Sequence, residues 1–171
     1  MTAETYNVLI LCTGNSARSI LAEAIINREG RGRFHAYSAG SRPKGVPNPV
    51  GLELLASLDY DPSEFRSKSW NEFSGETAPK MDIVITVCDA AAGEACPLWP
   101  GAPVVAHWGI PDPADAGATH TERLAAFEVA YRRLEARVKA FVALPVATMS
   151  ALELKASLAA IGQMEGATSG V

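Results

Sequence analysis

The stretch Val8-Leu-Ile-Leu-Cys12-Thr-Gly14-Asn-Ser16-Ala-Arg18-Ser19 decides how the rest of the chain is read. Val8 to Leu11 is an uninterrupted apolar run, the pattern of a strand buried on both faces. It runs straight into Cys12, a glycine-containing loop and Arg18, after which helical periodicity begins. Strand, loop and helix N-terminus in immediate succession make an anion cradle. The backbone N–H groups of Thr13 to Arg18, Ala17 included, can converge on one oxyanion, and the helix dipole adds positive potential there. The same field lowers a thiol's pKa, so the sequence predicts a Cys12 thiolate at neutral pH. Arg18 supplies a planar fork for two oxygens, which lysine lacks. Gly14 permits close backbone approach, Asn15 tolerates left-handed backbone, and the hydroxyls of Ser16 and Ser19 can donate to a thiolate or an oxyanion. By itself, a cysteine ending a buried strand is usually a small core residue. The loop that follows it makes the nucleophile reading the stronger one.

Composition bounds what surrounds this loop. A chain of 171 residues, 48% hydrophobic and 20% charged, suits one compact α/β domain. A formal charge of -4 gives no basic footprint for nucleic acid. No apolar run is long enough to span a bilayer, and MTAETYN has no basic segment followed by an apolar one, so a cytoplasmic location is expected. Three cysteines in a reducing compartment argue for chemistry or a metal rather than a structural disulfide.

Downstream, Ile20, Leu21, Ala24 and Ile25 recur at helical spacing up to Gly30 and Gly32, with Glu23 one turn after Ser19. Phe34 to Ala39 reads as a second strand, closed by Gly40 and parallel to the first. Residues 41–49 are turn-rich, and a helix follows through Leu52, Leu55 and Leu58. Between Asp61 and Pro79 the pattern has no clear period; Trp70 and Phe73 are expected to cover part of the core, beside the basic pair Arg66 and Lys68. Asp82 to Cys88 is the third strand and Val104 to His107 the fourth. Thr119 and Glu122 read as a capping box, opening a helix whose stripe is Leu124, Phe127, Tyr131, Leu134, Val138 and Phe141. These elements predict a four-stranded parallel sheet flanked by helices. Ligands bind beyond the carboxyl ends of such strands, where Cys12, Cys88 and the loop after His107 all fall.

The catalytic domain is expected to span residues 1–145. Residues 146–171 form a C-terminal extension with a second capping box at Ser150 and Glu153, an apolar stripe of Leu154, Leu158 and Ile161, and a flexible Gly/Ser end. That stripe packs either on the domain or in a weak homodimer; otherwise the chain is monomeric.

Two further features bear on chemistry. Asp112, on the Pro-flanked loop Gly109-Ile-Pro-Asp112-Pro113, can protonate a leaving oxygen, although Asp-Pro is also an ordinary turn opener. His107 and Trp108 are read as structural neighbours of that loop. Cys88 and Cys96 enclose DAAAGEA. With His107 they would give only three zinc ligands, and closed sites need four, so zinc is kept as the lesser alternative. Thiol–disulfide exchange, in which chain motion delivers one sulfur to another, explains the pair better.

Together CTGNSARS, YSAG at 37–40, TVC at 86–88, Cys96-Pro97 and HWGIPDPA at 107–114 resemble the thioredoxin-coupled arsenate reductases, which share the fold of the low-molecular-weight protein tyrosine phosphatases. The likeness spans roughly residues 6–143. It implies a relay: Cys12 attacks arsenate, Cys88 displaces arsenite as a disulfide forms, and Cys96 resolves that disulfide. Arg18 matches the oxyanion clamp and Asp112 the acid. The resemblance implies no tightly bound cofactor and an external thiol reductant, thioredoxin first, with glutathione or mycothiol types as alternatives. Phosphate and sulfate are the expected competing anions. One branch of the family binds potassium; Asn15, Glu23 and Ser38 match its ligands, but the expected aspartate does not align and Lys68 lies in that region. Ala17 replaces a cysteine that is dispensable in the family.

Two rival functions use the same loop. A phosphatase needs Cys12, Arg18 and Asp112 but neither Cys88 nor Cys96, and PADAGATH has no tyrosines to wall an aromatic substrate. A thiol-based arsenic-binding module would use the three cysteines and leave Asp112 idle.

Overall fold

The structure, a computed structural model, describes residues 4–92, 99 and 101–168. Cys96 and the Cys96-Pro97 pair therefore lie outside the described residues. Four strands form one sheet: β1 (Tyr6–Leu11), β2 (Phe34–Ala39), β3 (Ile83–Thr86) and β4 (Val104–His107). All pairings are parallel and the order is β2-β1-β3-β4. The helices are α1 (Arg18–Glu29), α2 (Pro49–Ser57), α3 (Asp89–Ala92), α4 (His120–Val142) and α5 (Ala151–Gly162).

Val8 to Leu11 are fully buried, as are Ile83 and Ile85, which is why these strands read as apolar runs instead of alternating. Val8 and Ile10 face the larger core, where Ile20, Leu21 and Ile25 of α1 meet Phe127, Leu134, Val138 and Phe141 of α4. Leu9 and Leu11 face the other way, against Phe73, Met81 and Val84, with Trp70 and Trp99 packed alongside. The stretch without a clear period thus has a use. Its short 3-10 turns at Pro62–Glu64 and Trp70–Phe73 place Phe73 over the second face of the sheet.

Some boundaries differ from expectation. The strand predicted over Asp82 to Cys88 pairs only from Ile83 to Thr86, because Cys88 already turns into α3. At the start of α4, Thr119 accepts from the Glu122 N–H at 3.1 Å, but the Glu122 carboxylate takes the Ala118 N–H, so the box is only half formed. Ser150 and Glu153 make the full reciprocal box that opens α5. That helix lies against β4 and α4, and the Trp108 indole N–H donates to the Leu158 carbonyl at 3.0 Å. No helix among the described residues is long and apolar enough to cross a membrane.

Sheet register sets up the site. Leu11 pairs with Ala39 on one side and Thr86 on the other, and Thr86 pairs with His107, so the four strands end in one row. The order reverses between β1 and β3, the switch point at which open α/β sheets leave a crevice. Cys12 follows one of these strands and Cys88 the other.

Candidate active site

The loop between β1 and α1 is held from outside by its carbonyls. Those of Thr13, Gly14 and Ser16 accept the N–H groups of Arg42, Lys44 and Asn48 at 3.0, 3.0 and 2.9 Å. Among the described residues, the N–H groups of Gly14 to Ala17 donate to no protein acceptor, leaving four donors at a helix N-terminus for an oxyanion. Asn15 is fully buried with φ 43°. Its amide nitrogen donates to Ser19 Oγ at 2.9 Å and Ser38 Oγ at 3.0 Å, and its oxygen accepts the Lys68 N–H at 2.9 Å. Gly40 lies against the loop so closely that a Cβ there would sit 2.4 Å from the Thr13 carbonyl oxygen. This requirement was visible only as the glycine that closes YSAG.

Arg18 ties the loop to the acid. One Nη donates to the Ile110 carbonyl at 2.8 Å and the other lies 3.4 Å from Asp112 Oδ2, while its buried Nε has no protein partner. Asp112 Oδ1 accepts the Ala114 N–H at 3.0 Å. The turn and the acid readings of Asp112 therefore hold together: the turn fixes the carboxylate beside the guanidinium. Cys12, Gly14 to Arg18, Cys88 and Asp112 line one cleft of about 280 Å³, with Arg42 and Lys44 at its wall.

Cys12 and Cys88, 8% and 3% exposed, meet in this cleft as free thiols within hydrogen-bond reach. Cys88 Sγ also accepts the N–H groups of Thr13 and Ala91, each at 3.4 Å. The hydrogen bond from Cys12 and these two N–H groups lower the Cys88 pKa to about 5, against the opposing effect of burial. Cys12 moves the other way, raised by its hydrogen bond to Cys88, by burial and by the Cys88 charge, with Arg18 opposing. With no anion in the cradle the two thiols share one proton, and the N–H groups on Cys88 Sγ draw the negative charge towards it, where the sequence reading places it on Cys12. The sequence showed the helix N-terminus beside Cys12 but not the second sulfur that takes the Thr13 N–H.

Lys68, whose backbone N–H Asn15 accepts, buries its ammonium 3.9 Å from Glu23 Oε1 and donates from it to the Arg66 carbonyl at 3.1 Å. Burial raises the Glu23 pKa and lowers that of Lys68, and each charge opposes the shift of the other. His107 has both ring nitrogens engaged, Nε2 with Asp89 Oδ1 at 2.8 Å and Nδ1 with Thr86 Oγ1 at 2.7 Å. A carboxylate only accepts, so Nε2 carries a hydrogen, and the ring is held between Asp89 and Thr86. Lys68 and Asp89 are the residues whose part in the site the sequence did not reveal.

Comparison with known proteins agrees with this geometry. Residues 7–154 match the model of the low molecular weight phosphotyrosine protein phosphatase family. An arsenate reductase of Halalkalibacterium halodurans is 35% identical over 134 residues, covering 78% of this chain and 93% of the relative. The crystal structure of an arsenate reductase from Archaeoglobus fulgidus superposes with a TM-score of 0.62 at 25% identity, covering 80% of this chain and 99% of that one. The thioredoxin-dependent arsenate reductase of Corynebacterium glutamicum shares the fold, with a TM-score of 0.53 at 22% identity over 81% of this chain and 64% of that one.

Proposed function

The chain belongs to the low molecular weight phosphotyrosine protein phosphatase family, and we propose that it is an arsenate reductase working through a relay of Cys12, Cys88 and Cys96. One observation carries this reading beyond the family: a second thiol, Cys88, lies within hydrogen-bond reach of the loop cysteine at the sheet's switch point. A phosphatase finishes with water and has no use for it.

Arsenate enters the cradle of Gly14 to Ala17 N–H groups and the Arg18 fork. Cys12 sulfur attacks arsenic, an S–As bond forms and an As–O bond breaks. The proton carried by Cys12 goes by way of Asp112 to the oxygen, which leaves as water. Cys88 thiolate then attacks the Cys12 sulfur. An S–S bond forms, the S–As bond breaks, and its electron pair leaves with arsenic as arsenite. Arsenic is reduced by two electrons and the two sulfurs are oxidised. Cys96 next attacks Cys88, freeing Cys12 and leaving a Cys88–Cys96 disulfide for an external thiol reductant, thioredoxin in this proposal, to reopen. The Thr13 and Ala91 N–H groups on Cys88 Sγ favour its thiolate, which suits this order.

The reaction needs a reducing compartment, which we take to be the cytoplasm, and phosphate and sulfate compete for the cradle. Potassium is not required in this reading, because the Lys68 ammonium already supplies a positive charge beside Glu23. The test is arsenite production with thioredoxin, its reductase and NADPH, run beside hydrolysis of a chromogenic aryl phosphate. Aryl phosphate turnover without arsenite would return the protein to the phosphatases.

A further inference from the structure

The family match ends at residue 154, yet the chain beyond it returns to the active-site edge of the sheet. It is fastened along the way. Arg137, fully buried in α4, donates through Nη2 to the Met164 carbonyl at 2.8 Å, and Arg133 pairs with Glu165 at 3.4 Å. Gly162 lies so close to β4 that a Cβ there would meet the His107 carbonyl oxygen at 2.3 Å. Finally the Thr168 N–H donates to the Gly109 carbonyl at 3.0 Å, and its hydroxyl donates to Asp89 Oδ1 at 2.9 Å.

Asp89 Oδ1 also receives His107 Nε2 at 2.8 Å, and Thr86 holds the far side of that ring. The three side chains converge over Gly109, where a Cβ would lie 2.3 Å from Thr168 Oγ1, 2.5 Å from His107 Nε2 and 2.7 Å from Asp89 Oδ1. Thr168 and His107 thus grip Asp89, the first residue of α3 and next in sequence to Cys88. Cys88 Sγ takes the Ala91 N–H from this same turn, and the Ala92 N–H returns to the Cys88 carbonyl at 3.2 Å.

We propose that the segment after α5 is a strap belonging to the catalytic site, in which Thr168, with His107, is a positioning residue that fixes Asp89 and so holds Cys88 against Cys12. The step it serves, attack of Cys88 on the Cys12 adduct, rests on the reductase reading. Its grip on α3 does not. An extension of this kind acts on rate rather than on affinity, since it touches no residue of the oxyanion cradle.

The test compares Thr168→Val, which keeps the shape and loses the hydroxyl, with Thr168→Ser, which restores it. The first readout is amide hydrogen exchange by NMR, which needs no activity. Thr168→Val should speed exchange at Ala91 and Ala92 about fivefold, the scale of one lost hydrogen bond, with Leu9 and Ile10 of β1 unchanged. The second is arsenite release in a single turnover, expected to slow by a similar factor at unchanged KM for arsenate. Thr168→Ser should restore both. Unchanged exchange at Ala91, or an equal rise in β1 that marks general loss of stability, would overturn the strap. No arsenite from the unaltered protein would overturn the reductase reading, and the exchange result would still decide the strap.

Discussion

Cys88 Sγ accepts the backbone N–H of Thr13 at 3.4 Å, so the second sulfur is bonded to the residue that immediately follows the first. A structural cysteine at the end of β3 would not need this contact. It brings the second sulfur to the loop cysteine, and the hydrogen bond between the two sulfurs couples their titration.

The pH dependence of stability follows from that pairing. Cys88, lowered to about 5, contributes stability that is present above the free-thiol pKa and lost as the pH falls towards 5. Cys12 is raised, so its contribution is present below the free-thiol pKa and lost as the pH rises above it. Together they give a maximum near the free-thiol value of about 8.5. The difference in thermal midpoint between the unaltered protein and Cys12→Ser/Cys88→Ser should peak there, and thiolate absorbance at 240 nm should show one group titrating near pH 5. Two groups titrating near 8.5 would contradict the shared proton.

Asp112 should be separable from anion binding. Asp112→Asn keeps an oxygen for the Ala114 N–H, so the turn survives. Turnover should fall by roughly 10²–10⁴-fold, as for loss of a general acid. Protection of Cys12 from iodoacetamide by sulfate should persist. Arg18→Lys should do the reverse, losing the protection because the fork that spans Ile110 and Asp112 is gone. Unchanged turnover in Asp112→Asn would leave the residue as a turn only.

Lys68 gives a third measurement. Exchanging sodium for potassium chloride should leave the turnover of the unaltered protein unchanged. Lys68→Met strands the buried Glu23 carboxylate and should lower stability by about 3 kcal/mol, the scale for breaking a buried ion pair. Lys68→Met/Glu23→Gln should recover most of the loss in a denaturant titration. Potassium activation of the unaltered protein would show that the lysine does not serve as the cation.

What was legible in the sequence is what local pattern encodes. Val8 to Leu11 followed by Cys12, Gly14 and Arg18 specifies strand, loop and helix start without reference to anything distant, and the α4 stripe from Phe127 to Phe141 does the same for the main core. The residues missed act across long sequence separations. Lys68 reaches Asn15, Thr168 reaches Asp89, and Cys88 reaches Thr13, contacts that only the sheet order brings about. The segment around Trp70 and Phe73 gave no period because 3-10 turns have none long enough to register. A helix N-terminus can be read locally, and a competing sulfur from another strand cannot.

The central claim is that Cys88 supplies the electrons that turn the Cys12 adduct into arsenite, and Cys88→Ser tests it most directly. Arsenite released and aryl phosphate hydrolysed should be measured on the same preparation, with thioredoxin, its reductase and NADPH present. The account predicts that arsenite release is lost while any aryl phosphate hydrolysis by the unaltered protein is retained, because only the first reaction needs a second sulfur. Arsenite release at the rate of the unaltered protein would contradict it.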